Sequence, residues 1–215
     1  MKKFIKATSE DDFLFKVCEF IFIKSQECIQ LKDSFSIALT GGETPKKIFQ
    51  ALVSNYALKI NWSKVHFYWI DERCVPPSHE KSNYKSAYEL LISKLDKFGS
   101  INRIKGELNP DLARMEYENV VEHIDFSLLG MGNDGHVGSI FPNSEELRLN
   151  QQKIVRTKKK YFGEFRISFS INQINKSDFK LLLITSKEKI KILKIKNVKL
   201  PIHLINNLNV IYYLN

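Results

Sequence analysis

Residues 126–142 read FSLLGMGNDGHVGSIFP. The stretch opens as an apolar run and then breaks into glycines at 130, 132 and 135. His136 follows Gly135 directly, two positions after Asp134. A short apolar run that ends in a glycine turn predicts a buried strand, and open α/β sheets bind ligands outside the carboxyl ends of such strands. Most histidines are surface residues or satisfied core residues. This one is set apart by its place after a glycine turn, where the backbone can bend tightly and approach a ligand closely.

Working outward, the neighbouring segments set the class. Residues 179–185 (FKLLLIT) form a near-continuous apolar run of the kind buried on both faces of a parallel sheet. Residues 34–40 (SFSIALT) and 65–71 (VHFYWID) also read as strands. Residues 165–171 alternate as a strand, with Arg166 and Ser168 on one face and Ile167 and Phe169 on the other. A last short strand is expected at 210–214. Helical patterns lie between these runs. Residues 9–31 carry Phe13, Val17, Phe20, Ile21, Cys28 and Ile29 on one face behind Ser9, and further helices are expected at 46–53, 85–95, 111–121 and 186–196. Residues 143–160 are polar and lysine-rich and predict a partly mobile loop. Strands alternating with helices predict a largely parallel sheet covered on both faces, and the length of 215 residues predicts one domain, 1–215.

The composition narrows the function classes. The net charge is +9, which fits nucleic acid, a membrane surface or a small anionic substrate. The one concentrated basic cluster is Lys158, Lys159 and Lys160, without aromatic interleaving or a DNA-binding motif. No nucleic-acid or membrane partner is therefore expected, which leaves a solvated surface or a phosphorylated small substrate. Cys18, Cys28 and Cys74 are too few and too scattered for a disulfide framework or a zinc site. The first residues, MKKFIKATSEDDF, lack the long apolar core of a signal peptide, so a cytoplasmic protein is expected.

Three further motifs bear on chemistry. In Gly41-Gly42-Glu43-Thr44-Pro45 a diglycine turn leads into a helix. Thr44 is the expected N-cap and Pro45 the first helical residue. Such a helix start is an anion cradle, although a plain strand–helix turn has the same signature. Asp71-Glu72-Arg73 places three charges at a strand end, where burial is costly unless they pair or serve a ligand. Arg73 could meet an anion or a developing oxyanion, oriented by Asp71 or Glu72, or the group could be a surface salt bridge. Arg166 could reach a phosphate or be solvated. Gly130, Gly132 and Gly135 also satisfy the G-x-G-x-x-G dinucleotide pattern. Pro142 leaves only six residues for a helix after Gly135, however, and no Asp or Glu occurs between 147 and 163. A nicotinamide cofactor is excluded on those grounds, and the glycines are expected to shape a sugar pocket.

Taken together, LTGGETPKKIF at 39–49, INWSKVHFYWIDERCVPPSHEKSNY at 60–84 and LLGMGNDGHVGSIFPN at 128–143 closely resemble the 6-phosphogluconolactonase family. FRISFS at 165–170 is similar to that family's later arginine-bearing strand, and LLLITSKEKIKIL at 181–193 to its penultimate strand–helix unit, with Lys189 at the family's lysine position. LPIHLI at 200–205 resembles a leucine–proline element, so the resemblance spans residues 34 to 205. It implies a three-layer α/β/α fold with a mostly parallel, Rossmann-like sheet of the sugar-phosphate isomerase and deaminase type. It also implies hydrolysis of 6-phospho-D-glucono-1,5-lactone to 6-phosphogluconate in the oxidative pentose phosphate pathway, with no metal or cofactor, by a monomer or small homo-oligomer.

On that reading His136 is the general base and later the acid, because an imidazole with a pKa of about 6.5 is largely neutral at pH 7. Arg73 polarises the carbonyl or binds hydroxyls, and Asp134 orients His136 or binds hydroxyls. Gly41, Gly42, Thr44, Arg166 and Lys189 hold the 6-phosphate, and Asp71 contributes to substrate binding. Glu43 would repel a phosphate unless its side chain turns away or caps its own helix. A serine nucleophile at Ser139 is disfavoured by the absence of a G-x-S-x-G elbow. The alternatives are a glucosamine-6-phosphate deaminase of the same fold and a non-catalytic sugar-phosphate sensor. Asp71-Glu72-Arg73 and SIFP at 139–142 favour the lactonase over the deaminase, and only one helix fits before residue 34, too little for a helix-turn-helix output module.

Overall fold

The structure, a computed structural model, describes residues 2–149, 151–195 and 199–214. In chain order its elements are β1 (Lys2–Lys6), α1 (Glu10–Lys32), β2 (Phe35–Leu39), α2 (Glu43–Tyr56), β3 (Val65–Trp69), β4 (Asp71–Arg73), α3 (Asn83–Leu90), β5 (Ser100–Ile101), α4 (Pro110–Val120), β6 (Phe126–Leu129), β7 (Ile154–Arg156), β8 (Arg166–Phe169), α5 (Ile171–Lys176), β9 (Phe179–Ile184), α6 (Lys187–Lys194) and β10 (Leu208–Tyr212). Seven strands form a sheet in the order β1-β10-β9-β6-β2-β3-β5, and every pairing in it is parallel. This is the mostly parallel α/β architecture that alternating strands and helices predict. The innermost strands are the apolar runs: β2 and β6 are buried along their whole length.

Strand order places the functional end. From β2 the chain moves through α2 to β3 on one side, whereas β6, β9 and β10 lie on the other side of β2. β2 and β6 are hydrogen-bonded neighbours with Ile37 opposite Phe126. The order reverses between them, and in such sheets the crevice outside the carboxyl ends at the reversal is where ligands bind. At the opposite end, a buried carboxylate holds the same two strands in register. Asp125 accepts from the Ser36 backbone N–H at 2.7 Å and from Ser36 Oγ at 2.9 Å, and it pairs with Lys32.

Several expectations are corrected. The run at 65–71 does not stay in one sheet. Ile70 donates its N–H to Leu39 O at 2.8 Å and accepts at its carbonyl from Phe169 N at 2.8 Å, so the chain passes there from the large sheet to a small antiparallel one, β4-β8-β7. Asp71-Glu72-Arg73 is thus a strand of the second sheet, paired residue by residue with Ser168, Ile167 and Arg166. Residues 143–160 are not a loop throughout. Ile154 and Val155 are buried in β7, a strand too short to stand out in a lysine-rich segment.

α2 begins at Glu43 with Gly42 as its N-cap, which places Thr44 and Pro45 inside the first turn. Gly42 takes φ +112°, and this turn starts the helix earlier than a threonine cap would. The helix expected at 85–95 stops at Leu90 and continues as a 3-10 turn. β1 was not expected, because three of its five residues are lysines, and its strand character comes from pairing with β10. Ser9 caps α1, with its side chain accepting from Asp12 N.

The outer strands are short, and one side chain compensates for this. β5 pairs with β3 only at His66 and Phe67, which leaves the edge of Trp69 without a strand neighbour on that side. The hydroxyl of Tyr117, on α4, accepts from Trp69 N at 2.8 Å and donates to Trp69 O at 2.8 Å. Burial pushes this phenol's pKa well up, so it stays neutral and can do both. Tyr117→Phe strands both backbone groups in the core. It should lower stability by about 1–3 kcal/mol, seen as a lower urea midpoint with an unchanged m-value.

Candidate active site

The carboxyl ends of β2 and β6, together with the small sheet, enclose a cleft of about 180 Å³. Thr40 and Gly41 leave β2 into it, and Gly42 and Thr44 open α2 beside them. Gly130, Met131, Gly132 and His136 follow β6. Asp71 and Arg73 enter from β4, Arg166 from β8, and Lys189 from the first turn of α6. Eight of the nine residues expected from sequence therefore line one space, although they come from stretches up to 148 positions apart (Gly41 to Lys189). The ninth, Asp134, lies behind His136.

The His136 loop is a narrow hairpin. Gly132 N donates to His136 O at 3.0 Å, and Met131 bridges Val137. Asp134 Oδ1 accepts from His136 N at 3.1 Å and meets His136 Nδ1 at 2.7 Å. A carboxylate can only accept, so this contact places a proton on Nδ1, and in the neutral ring the lone pair is then on Nε2. The ring also packs against Phe141, with centroids 4.5 Å apart, and Phe141 stacks flat on Tyr161 at 3.7 Å. The imidazole is thus held both by a charge and by an aromatic wall. Gly132 is required here, since a Cβ at that position would lie 2.2 Å from the ring.

Three cationic side chains, Arg73, Arg166 and Lys189, also line the cleft. The Arg166 side chain is 9% exposed, yet the carboxylate facing it, Asp71, is 4.0 Å away. Its Nε reaches Tyr161 O only at 3.4 Å, and its guanidinium lies 5.5 Å from the Phe162 ring. Burial lowers the Arg166 pKa, opposed by Asp71, and burial also lowers that of Lys189. Arg73 donates from Nη1 to Lys81 O, while its Nε is buried without a partner among the described residues. The N-cap of α2 is a glycine without a side-chain cap, so the first N–H groups of that helix face the cleft unspent. A buried guanidinium with so distant a counter-ion is poorly compensated, and an anion in the cleft would complete it.

Asp71 is more enclosed than a strand-end carboxylate would be. Its Oδ2 accepts from Ser139 Oγ at 2.6 Å and its Oδ1 from Asn83 Nδ2 at 3.2 Å. Ser139 is fully buried in that bond, which excludes it as a nucleophile. Glu43 turns outward: its side chain is 86% exposed and pairs with Lys46 at 2.7 Å. Gly130 and Gly132 line the cleft as the glycine reading expects, whereas Gly135, at φ +84°, packs toward Leu200 and Ile192. Burial pushes the thiol of Cys18 up to about 12 and that of Cys74 up to about 11, leaving both as unreactive thiols at neutral pH.

Sequence reading passed over Asn83, Gly138 and the Phe141–Tyr161 stack. Only Asn83 left a signal, in the Ser82-Asn83-Tyr84 that ends the 60–84 stretch just before the helix expected at 85–95. Among the described residues one group has the donors for a metal ion, His123, Asp125 and Asp178, at the far end of the sheet. The Lys32 ammonium already neutralises Asp125 there.

A family model described as glucosamine-6-phosphate isomerases/6-phosphogluconolactonase matches residues 8–212. A curated 6-phosphogluconolactonase of Haemophilus influenzae is 36% identical over 173 residues, covering 77% of this chain and 74% of that protein. Another, of Thermotoga maritima, is 30% identical over 215 residues, covering 95% and 94%. Among solved structures, the crystal structure of the Thermotoga maritima 6-phosphogluconolactonase matches with a TM-score of 0.86 at 27% identity, covering 100% of both chains.

The packing of Gly132 against the imidazole can be tested directly. Gly132→Ala should displace the ring by about 1 Å, the shift needed to restore an ordinary van der Waals contact. It should break the bond to Asp134 while cooperative unfolding is retained. A crystal structure of the variant, or the NMR signals of the His136 ring, checks this.

Proposed function

The chain belongs to the glucosamine-6-phosphate isomerase/6-phosphogluconolactonase family, and from that premise we propose that it hydrolyses 6-phospho-D-glucono-1,5-lactone to 6-phosphogluconate, a step of the oxidative pentose phosphate pathway, in the cytoplasm. The observation that carries this reading is that two unlike sets of groups line one small cleft. One is the His136 imidazole braced by Asp134. The other is the under-compensated Arg166, with Lys189 and the open start of α2.

A lactone with a distal phosphate needs both. The phosphate is held by Arg166, Lys189 and the N–H groups around Gly41, Gly42 and Thr44, through charge-assisted hydrogen bonds. That grip places the ring carbonyl against His136 and makes the attack effectively unimolecular. His136 Nε2 takes a proton from water as the oxygen adds to the carbonyl carbon. The tetrahedral oxyanion is stabilised by Arg73, whose buried Nε has no acceptor among the described residues. Collapse breaks the bond to the ring oxygen, and the imidazolium returns its proton to that oxygen, which leaves a carboxylic acid and a free hydroxyl. Asp134 keeps the ring in the tautomer that accepts first and supports the charge that forms. The outward turn of Glu43 takes its carboxylate away from the phosphate.

His136→Ala should fold normally and lose at least about a hundredfold in kcat for lactone hydrolysis. The assay belongs at mildly acidic pH, where spontaneous ring opening is slow. Near-normal turnover of that variant would remove His136 from the mechanism. Arg166→Glu should act chiefly on KM, and an unchanged KM would place the phosphate elsewhere.

A further inference from the structure

Glu72 is 2% exposed and does not line the cleft, yet it sits between Asp71 and Arg73, which do. Its carboxylate is surrounded by four donors. Oε1 accepts from Arg73 N and Asn83 N, each at 2.8 Å, and Oε2 accepts from Tyr84 N at 2.8 Å and Ser82 Oγ at 2.9 Å. Ser82 Oγ in turn accepts from Lys85 N at 3.1 Å. The first turn of α3 is therefore capped by a side chain of the small sheet, and its orphan N–H groups are used to bind it there. Burial pushes the Glu72 carboxyl up, while the four bonds oppose that rise. A glutamine could not replace it, because one of its two terminal atoms is a donor and would face two donors.

The residue this arrangement delivers is Asn83, itself 3% exposed. Asn83 Nδ2 donates to Asp71 O at 2.9 Å and to Asp71 Oδ1 at 3.2 Å. Both partners are acceptors, which settles which end of the amide is nitrogen. Oδ1 then points toward Gly41, where an added Cβ would lie 1.8 Å from it, and Asn83 and Gly41 both line the cleft. Among the described residues no protein donor bonds Oδ1. An amide oxygen offers nothing to a phosphate, which has only acceptors at this point, but it suits a sugar hydroxyl.

We propose that Asn83 is a substrate-positioning residue that accepts a hydrogen bond from a hydroxyl of the sugar ring, and that Glu72 acts through it by pinning the first turn of α3. This rests on the phosphosugar-lactone reading above, with Asn83 Oδ1, beside Gly41, serving a hydroxyl of the sugar while the phosphate is held by Arg166 and Lys189.

The test is a double-mutant cycle of Asn83→Ala and Glu72→Gln, read by kcat and KM for lactone hydrolysis and by calorimetric binding of 6-phosphogluconate. Asn83→Ala should raise KM and the product Kd by about fivefold or more, the worth of one hydrogen bond. Glu72→Gln should do the same, and the double variant should be little worse than Asn83→Ala alone. A purely structural Glu72 would instead give losses that multiply, and that result overturns its assignment. A folded Asn83→Ala protein with unchanged KM and Kd overturns the assignment of Asn83. If Glu72→Gln does not fold, Ser82→Ala, which removes one of the four donors, takes its place in the cycle with the same readout. Wild-type protein that binds 6-phosphogluconate but does not hydrolyse the lactone overturns the functional reading alone, since the binding arm still decides the inference.

Discussion

The carboxylate of Asp71 is where the separate parts of the cleft are tied to one another. It accepts from Ser139 in the segment after β6 and from Asn83 at the start of α3, and it faces Arg166 on β8. It can occupy that place because Ile70, one residue earlier, hands the chain from the large sheet to the small one. Had the strand continued in the parallel sheet, alternate residues would have pointed into two helical layers, and three consecutive charges could not all have been satisfied. The change of sheet gives each charge its own role. Asp71 organises, Glu72 caps a helix and Arg73 lines the cleft.

The charge distribution follows from the same enclosure. Three cationic side chains line a cleft whose inward carboxylate, Asp71, is already engaged by neutral donors. Arg166 is buried beside it at a distance too long for a tight ion pair. Such an arrangement is costly in the empty protein and becomes favourable when an anion enters. The net charge of +9 is therefore the least informative expression of basicity in this chain. Most of its lysines are dispersed, and the cations that line the cleft are three, Arg166 buried and Arg73 and Lys189 half-buried.

Much of the frame was legible because it follows from local rules. The apolar runs at 126–129 and 179–184 are strands for the reason their composition suggests: both faces are covered. Ser9 and Ser186 cap their helices as short polar side chains do. Other features depended on partners distant in sequence. β1 is a lysine-rich pentapeptide that becomes a strand only beside β10, and β7 becomes one only beside β8. Thr44 was a sound cap candidate by residue type, yet the positive φ of Gly42 set the helix start earlier. The orientation of Asp134 toward His136 was equally open, because two residues separated by one glycine can face together or apart.

The sequence by itself determined the alternation of strands and helices, the glycine turns at the strand ends and the residue types available for acid–base and anion chemistry. These depend on periodicity and on backbone preferences that act within a few residues. The tertiary structure alone decided that β6 lies beside β2, that the chain changes sheets at Ile70, and that Arg166 is buried with its carboxylate 4.0 Å away. The physical reason is that burial, hydrogen-bond partnership and charge compensation are properties of neighbours in space. Here those neighbours include Ile37 and Phe126, Asp71 and Arg166, and Ile70 and Phe169, pairs 89 to 99 positions apart.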